Sequence, residues 1–234
     1  MLKVEKLDAF YGQSHILHGI DFQMLAGESV ALLGRNGAGK STFLKSLLNG
    51  GPDARGRITF LDKVLDRDAM HSRARLGMAL VPEDRRIFPK LTVEENIDIG
   101  GRATPKGAKA HTVDEVVQLL PMCGPLLKRL GFQLSGGQQQ IVAIARGIVS
   151  RPRLLMLDEP AEGLAPVIVD ELADAINRLR RTDGLSLIVT EQNIDFARET
   201  TDRLYLLDVG SVVFSGTWPE FDARPDLVDR YLAL

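Results

Sequence analysis

A glycine-rich loop set between an apolar run and a helix-forming run constrains this chain more than any other feature. "SVALL" (29–33) opens directly onto "GRNGAGKST" (34–42). The loop fits G-x-x-x-x-G-K-[ST], a pattern that functions where a buried strand precedes it and a helix follows. Gly34, Gly37 and Gly39 let successive backbone N–H groups turn inward and form an anion nest. A helix starting near Ser41 adds its positive end to that nest. Lys40 can reach the β- and γ-phosphates of a nucleotide, and the Ser41 hydroxyl can ligate magnesium. The candidate nucleotide-contacting residues here are Gly34, Asn36, Gly37, Ala38, Gly39, Lys40, Ser41 and Thr42.

The rest of the chain alternates strands with helices. "RITFL" (57–61) reads as a strand bounded by Gly56 and Asp62. "LLMLD" (154–158) and "SLIVT" (186–190) are unalternated apolar runs, the pattern of parallel strands covered on both faces. "LYLLD" (204–208) and "SVVF" (211–214) flank Gly210 and suggest a closing hairpin. Helices are expected over 139–149 and 167–181, the second with Val167, Leu172, Ile176 and Leu179 on its apolar face. Residues 112–130 read as mainly helical, interrupted by Pro121 and Pro125. The polar stretch 100–110 is a candidate flexible joint. There is no internal repeat and no low-complexity tract.

Composition removes several function classes. Lys and Arg number 29 against 31 Asp and Glu, a net charge of -2. A general nucleic-acid binder usually has a basic balance. Cys123 is the single cysteine, so neither a disulfide framework nor a cysteine metal cluster is expected. The four histidines, His15, His18, His71 and His111, lack metal-ligand spacing. "MLKVEKLDAF" breaks its apolar residues with charge and reads as no signal peptide. No run approaches the roughly 20 apolar residues of a membrane helix, so any membrane role is expected to pass through partners.

The strand "LLMLD" continues into "EP". An acid at the end of a buried strand is costly to desolvate unless it serves a cation. Asp158 is therefore expected to hold magnesium, and Glu159 beside it to take a proton from an attacking water. Paired with the loop at 34–42, this predicts nucleotide hydrolysis.

"LSGGQQQ" (134–140) joined by a helix to "LLMLDEP", downstream of "GRNGAGKST", resembles the ATP-binding cassette of ABC transporters over essentially the whole chain. The resemblance implies an α/β fold in a single domain, residues 1–234. It has a P-loop core with a mainly parallel sheet, an N-terminal antiparallel β subdomain and an inserted helical subdomain at about 88–150. It implies ATP and Mg2+ as ligands. By the same resemblance Tyr11 stacks on adenine, and Glu83 stands where a glutamine usually senses magnesium and the membrane partner. Gln192 stands where a histidine usually contacts the γ-phosphate, giving Lys40, Glu159 and Gln192 as catalytic candidates. The metal candidates are Ser41, Glu83 and Asp158. "AEGLAP" (161–166) corresponds to the loop that crosses between protomers, without its usual aspartate.

"SGGQ" precedes a helix, so Ser135, Gly136, Gly137 and Gln138 form a second anion-binding end. In this family two chains pack head to tail, each ATP lying between one chain's Lys40 loop and the other's Ser135 loop. The implied partners are a second ATPase subunit, identical or not, two integral membrane permease subunits and, indirectly, a solute-binding protein. The implied location is the cytoplasmic face of the cell membrane. "VPEDRRIFPKLTVEENI" (81–97), the Glu83–Gln192 pair and "EGLAP" resemble the smaller ATPase of branched-chain amino-acid and amide importers. "YGQSHIL" and "AEGL" lean toward urea and short-amide importers, and Ile87 with Phe88 among charges suggests a partner-docking surface.

Rival functions fit less well. A DNA-repair or chromosome-organising ATPase would split these motifs with a long coiled coil, and no heptad stretch separates residues 42 and 134. A translation-associated protein would carry two cassettes. A purely structural nucleotide-binding module would lack the base that Glu159 supplies.

Overall fold

The computed structural model describes residues 1–65 and 68–232. Its strands in chain order are Leu2–Tyr11 (β1), Ser14–Met24 (β2), Ser29–Leu33 (β3), Asp53–Phe60 (β4), Lys63–Val64 (β5) and Met78–Val81 (β6). Leu154–Asp158 (β7), Ser186–Glu191 (β8), Arg203–Asp208 (β9) and Ser211–Thr217 (β10) follow. The α-helices are Lys40–Leu47 (α1), Met70–Arg75 (α2), Val93–Asp98 (α3), Val113–Leu119 (α4) and Gly136–Ile148 (α5). Pro166–Asp183 (α6), Ile194–Thr200 (α7), Trp218–Asp222 (α8) and Pro225–Tyr231 (α9) complete the set.

Every residue of β3, β7 and β8 is buried, which is why their sequences show no polar alternation. They lie in a six-stranded sheet of order β10-β9-β3-β8-β7-β6, parallel throughout except for β10. Val30 and Leu32 face Phe43, Leu44 and Leu47 of α1, together with Phe22 and Phe60 from the second sheet. Leu155, Leu157, Leu187 and Val189 face the other way, onto α5 and α6. Ala31 and Leu33 pack with Ala197, Trp218, Phe221 and Leu227 of the C-terminal helices. The second sheet, β2-β1-β4-β5, is antiparallel. It closes over α1 and carries Tyr11 at its rim.

Between β6 and β7 the described backbone is helical or irregular, and each helix begins with a defined cap. Thr92 with Glu95, Thr112 with Glu115, and Ser135 with Gln138 form reciprocal capping boxes. The Ser135 cap explains why α5 begins at Gly136, three residues before the expected start at 139. Helical content over 112–130 is smaller than expected: α4 ends at Leu119, and Pro121–Leu126 is a 3₁₀ segment. Pro125 removes a donor that a longer α-helix would need. Among the described residues no helix is long and apolar enough to cross a membrane.

Two further expectations change. The strand expected over 57–61 runs from Asp53 to Phe60, because pairing with β1 extends to Phe10 opposite Asp53. Leu61 and Asp62 turn with φ of 51° and 62°. On α6, Leu172, Ile176 and Leu179 are buried but Val167 is 61% exposed. Five residues at about 100° each set Val167 some 140° away from Leu172, off the core face.

The β9–β10 turn joins the two sheets to the glycine-rich loop. The Gly210 N–H donates to Ala38 O at 2.9 Å, and its carbonyl accepts from the His18 N–H at 2.8 Å. Gly210 has φ of 74°, and a methyl group there would lie 2.0 Å from Ile16 O. Gly210→Ala is expected to destabilise the chain by about 2 kcal/mol or more and to weaken nucleotide binding by displacing Ala38. Thermal melts and a nucleotide titration of the variant check this; an unchanged melting temperature would refute it.

Candidate functional site

The site is built where β3 and β7 end beside the start of α1. Gly34 follows β3 with φ of 152°, and a Cβ there would meet Leu207 O at 2.4 Å, so only glycine lets the loop pass this close to β9. Gly37 and Gly39 also hold positive φ, 83° and 106°. The loop ends at Lys40, the first residue of α1, which is 4% exposed. Its Nζ donates to Gly34 O at 2.7 Å and Arg35 O at 3.3 Å. It also pairs with Glu159 Oε1 at 3.1 Å.

Asp158, the last residue of β7, is buried and accepts two hydroxyl donors on Oδ1: Ser41 Oγ at 3.0 Å and Thr190 Oγ1 at 2.7 Å. Glu159 stands one residue further with φ of 48°. For a residue with a Cβ that left-handed conformation costs on the order of 1 kcal/mol. Its N–H donates to Thr190 O at 3.0 Å and lies 3.2 Å from Thr190 Oγ1. The turn delivers its carboxylate into the glycine-rich loop. There Oε1 meets Lys40, and Oε2 accepts from Gln192 Nε2 at 2.9 Å. The same Gln192 amide donates to Asn36 Oδ1 at 2.9 Å. Lys40, Glu159, Gln192 and Asn36 are therefore one connected set.

A cleft of about 310 Å³ opens over this set, lined by Tyr11, Ile16, Asn36, Gly37, Gly39, Lys40, Ser41, Thr42, Glu83 and Glu159. Tyr11 is 44% exposed there. The Glu83 carboxyl is pushed above its ordinary range, by desolvation first and then by the charges of Glu162, Glu159 and Asp158. A larger groove of about 590 Å³ between β2 and β10 holds none of the predicted residues.

The predicted signature residues Ser135, Gly136, Gly137 and Gln138 do not line the cleft. They cap α5: Ser135 Oγ accepts the Gln138 N–H at 3.3 Å, and the Ser135 N–H donates to Gln138 Oε1 at 3.0 Å. Ser135 and Gln138 thus have a structural task, and Gly136 and Gly137 open the first turn of α5, whose N–H groups have no acceptor within the helix. Cys123 is buried, its thiol pushed up to about 12 by desolvation, and lies in the helical core.

The donor set suits a hard dication. Ser41 Oγ and Asp158 Oδ1 are both oxygen ligands. Among the described residues no group of three or more His, Cys, Asp or Glu forms a protein-only cage. Magnesium typically binds through one or two carboxylates together with substrate phosphates, so Ser41 and Asp158 beside a phosphate nest fit it.

Two residues of the site escaped sequence reasoning. Thr190 bonds both Asp158 and Glu159, and Glu191 is 3% exposed at the end of β8. Its Oε1 accepts the Ala161 N–H at 2.8 Å, while Oε2 accepts those of Gln192 at 3.2 Å and Asn193 at 3.3 Å. Burial raises its carboxyl to about 7, against the opposing pull of those three donors. An acid ending a buried strand is the same signal that identified Asp158, and it was present at "SLIVTE".

A family profile described as "ABC transporter" matches residues 17–162. The high-affinity branched-chain amino acid transport ATP-binding protein BraG of Pseudomonas aeruginosa is 38% identical over 232 residues, covering 99% of both chains. The probable branched-chain amino acid transport ATP-binding protein LivF of Archaeoglobus fulgidus is 35% identical over 217 residues, 93% of this chain and 92% of its own. Among solved structures, a dimeric ATP-binding cassette in a post-hydrolysis state with ADP and phosphate superposes with a TM-score of 0.80. It is 26% identical and covers 93% of this chain and 98% of its own. An ATP-binding subunit of an ABC transporter superposes at 0.83, with 27% identity, 99% of this chain and 96% of its own covered.

Lys40→Ala is expected to abolish most ATP binding and to leave the Glu159 carboxylate buried without its cation, at a cost of about 3 kcal/mol. Lys40→Ala combined with Glu159→Ala should regain much of the lost thermal stability and none of the ATP affinity. Melting curves and nucleotide titrations of the single and double variants separate the two effects. A single variant that binds ATP normally removes Lys40 from the site.

Proposed function

The chain belongs to the ABC transporter family, and on that premise we propose that it is the ATP-hydrolysing subunit of an importer of branched-chain amino acids or related amides. The connected set Lys40–Glu159–Gln192 next to Ser41–Asp158 carries this reading. It joins a phosphate cradle, a magnesium-suited oxygen pair and a buried carboxylate in one cleft. The substrate class follows the named function of the two branched-chain relatives, which match 99% and 93% of the chain.

ATP lies with its base on Tyr11 and its phosphates along the amides of 34–42. Lys40 neutralises the β- and γ-phosphate charge. Ser41 and Asp158, with Glu83 nearby, would hold magnesium, which would supply charge neutralisation to the nucleotide phosphates. Glu159 takes the proton of the attacking water. Gln192 is the neutral γ-phosphate sensor, donating through the amide that holds Glu159 Oε2. Glutamine has no protonation step near neutral pH.

Ser135, Gly136, Gly137 and Gln138 act on the ATP of a second ATPase subunit, because α5 presents them outside their own chain's cleft. The two protomers close head to tail around two nucleotides. Residues at about 88–150 form the helical signature subdomain that carries this surface. Two membrane permease subunits hold the pair at the cytoplasmic face of the membrane, and a solute-binding protein acts through them. No nucleic acid is involved.

Phe88 is the docking anchor for a cytoplasmic helix of the permease. It is 46% exposed yet its backbone is fixed. Asn96 Oδ1 accepts the Phe88 N–H at 2.9 Å, and Asn96 Nδ2 donates to Phe88 O at 3.0 Å. Arg146 of α5 lies 5.6 Å from the Phe88 ring and donates to Arg85 O and Arg86 O. The anchor and the signature helix are thus rigidly joined. Phe88→Asp should uncouple transport from hydrolysis in the assembled transporter while ATP affinity stays unchanged; coupled transport by this variant would rule the anchor out.

Glu159→Gln keeps the bond geometry and removes the base. Turnover should fall by about 10²-fold or more, and the closed pair should persist with ATP and magnesium, since whatever binds only that state stabilises it. Ser135→Arg added to it should destroy the trapped pair. Sizing the isolated chain and the assembled transporter in ATP and in ADP reads both outcomes. Normal hydrolysis by Glu159→Gln defeats the base assignment, and a trap that survives Ser135→Arg defeats the shared site.

A further inference from the structure

We propose that Glu191 is a positioning residue that joins the loop following the base, residues 159–165, to the loop carrying Gln192. Hydrolysis then requires the two to move as one piece. The inference rests on the roles given above to Glu159 and Gln192.

The end of β8 is zipped to the end of β7 by three consecutive residues. Thr190 holds Asp158 and the Glu159 N–H. Glu191 holds the Ala161 N–H. Gln192 holds the Glu159 carboxylate. In this series Glu191 differs from its neighbours because its two oxygens serve different loops. Oε1 takes the Ala161 N–H, two residues past Glu159, and Oε2 takes the N–H groups of Gln192 and Asn193. All three bonds run to main chain, so they set the path of each loop and not just one rotamer. Asn193 also caps α7, accepting the Phe196 N–H at 3.1 Å. The Gln192 backbone is thereby held between a strand end and a helix start.

A carboxylate is the group this geometry demands. When it is ionised, both of its oxygens accept, and accept only. A carboxamide of the same shape offers one acceptor and one donor. That donor would face an N–H on one side or the other, so a single loop could be held at a time. Such a bridge is also costly to bury, and a buried acid kept only for packing would be better replaced by an apolar side chain. Its position converts any displacement of residues 161–165 by a second subunit into a displacement of the Gln192 amide against Glu159.

The test is Glu191→Gln, measured beside Glu159→Gln in ATPase assays with saturating magnesium. Glu191→Gln should lower kcat by about tenfold or more while the dissociation constant for ATP stays within about twofold. Amide exchange should accelerate in segments 159–164 and 190–195 and stay unchanged in α1 and α5. A wild-type kcat in a folded Glu191→Gln chain overturns the proposal. So does a parallel loss of kcat and ATP affinity with faster exchange across the sheet, which marks a purely structural residue. If Glu159→Gln turns over normally, the reading of the site fails first, whatever Glu191→Gln does. In the wild-type chain the two segments should exchange as one unit with and without ATP; independent exchange overturns the link even if the variant does not fold.

Discussion

Three carboxyl side chains, those of Asp158, Glu159 and Glu191, are buried at the ends of two parallel strands, where an unpaired charge would cost several kcal/mol. Each is served by a different kind of partner. Hydroxyls of Ser41 and Thr190 meet Asp158. The Lys40 ammonium and the Gln192 amide meet Glu159, and three main-chain N–H groups meet Glu191. The glycine-rich loop, the end of β7 and the end of β8 must therefore arrive at one point. The surrounding sheet order, with β8 between β3 and β7, is what allows it.

That arrangement also explains why charge can be concentrated here without loosening the fold. The strands beneath are mainly apolar and covered on both faces, so the carboxyl edge is a rigid platform. At this edge the strained non-glycine backbone is that of Glu159, at φ of 48°. Strained residues persist where surrounding contacts over-determine them. The two bonds from the Glu159 N–H to Thr190 do so here.

The helical segment between β6 and β7 answers to a separate demand. Its capping boxes are local, but Arg146 and Asn96 tie the exposed Phe88 region to α5 and α3. The exposed Phe88 surface is therefore mechanically continuous with the helix that begins at Gly136. The same helix is continuous with the core beneath β7, which links both to the nucleotide cleft.

Much of this was legible in one dimension. "SVALL" followed by "GRNGAGKST" and "LLMLD" followed by "EP" state strand, loop and charge in consecutive residues, and β3 and β7 have the expected bounds. Local chemistry decides these elements, because a strand covered on both faces must be mainly apolar and a phosphate turn needs glycine at set intervals. Long-range pairing decided the rest. Strand β4 runs four residues before "RITFL" because β1 lies beside it. Val167 leaves the core because helix phase, and not hydrophobicity, sets its direction. Glu191 and Thr190 joined the site only when β8 came to rest against β7. The sequence alone determined which chemistry this chain carries. Which side chains share an oxygen, and which loops must move together, was decided by tertiary structure, because strands remote in sequence become neighbours only in the folded sheet.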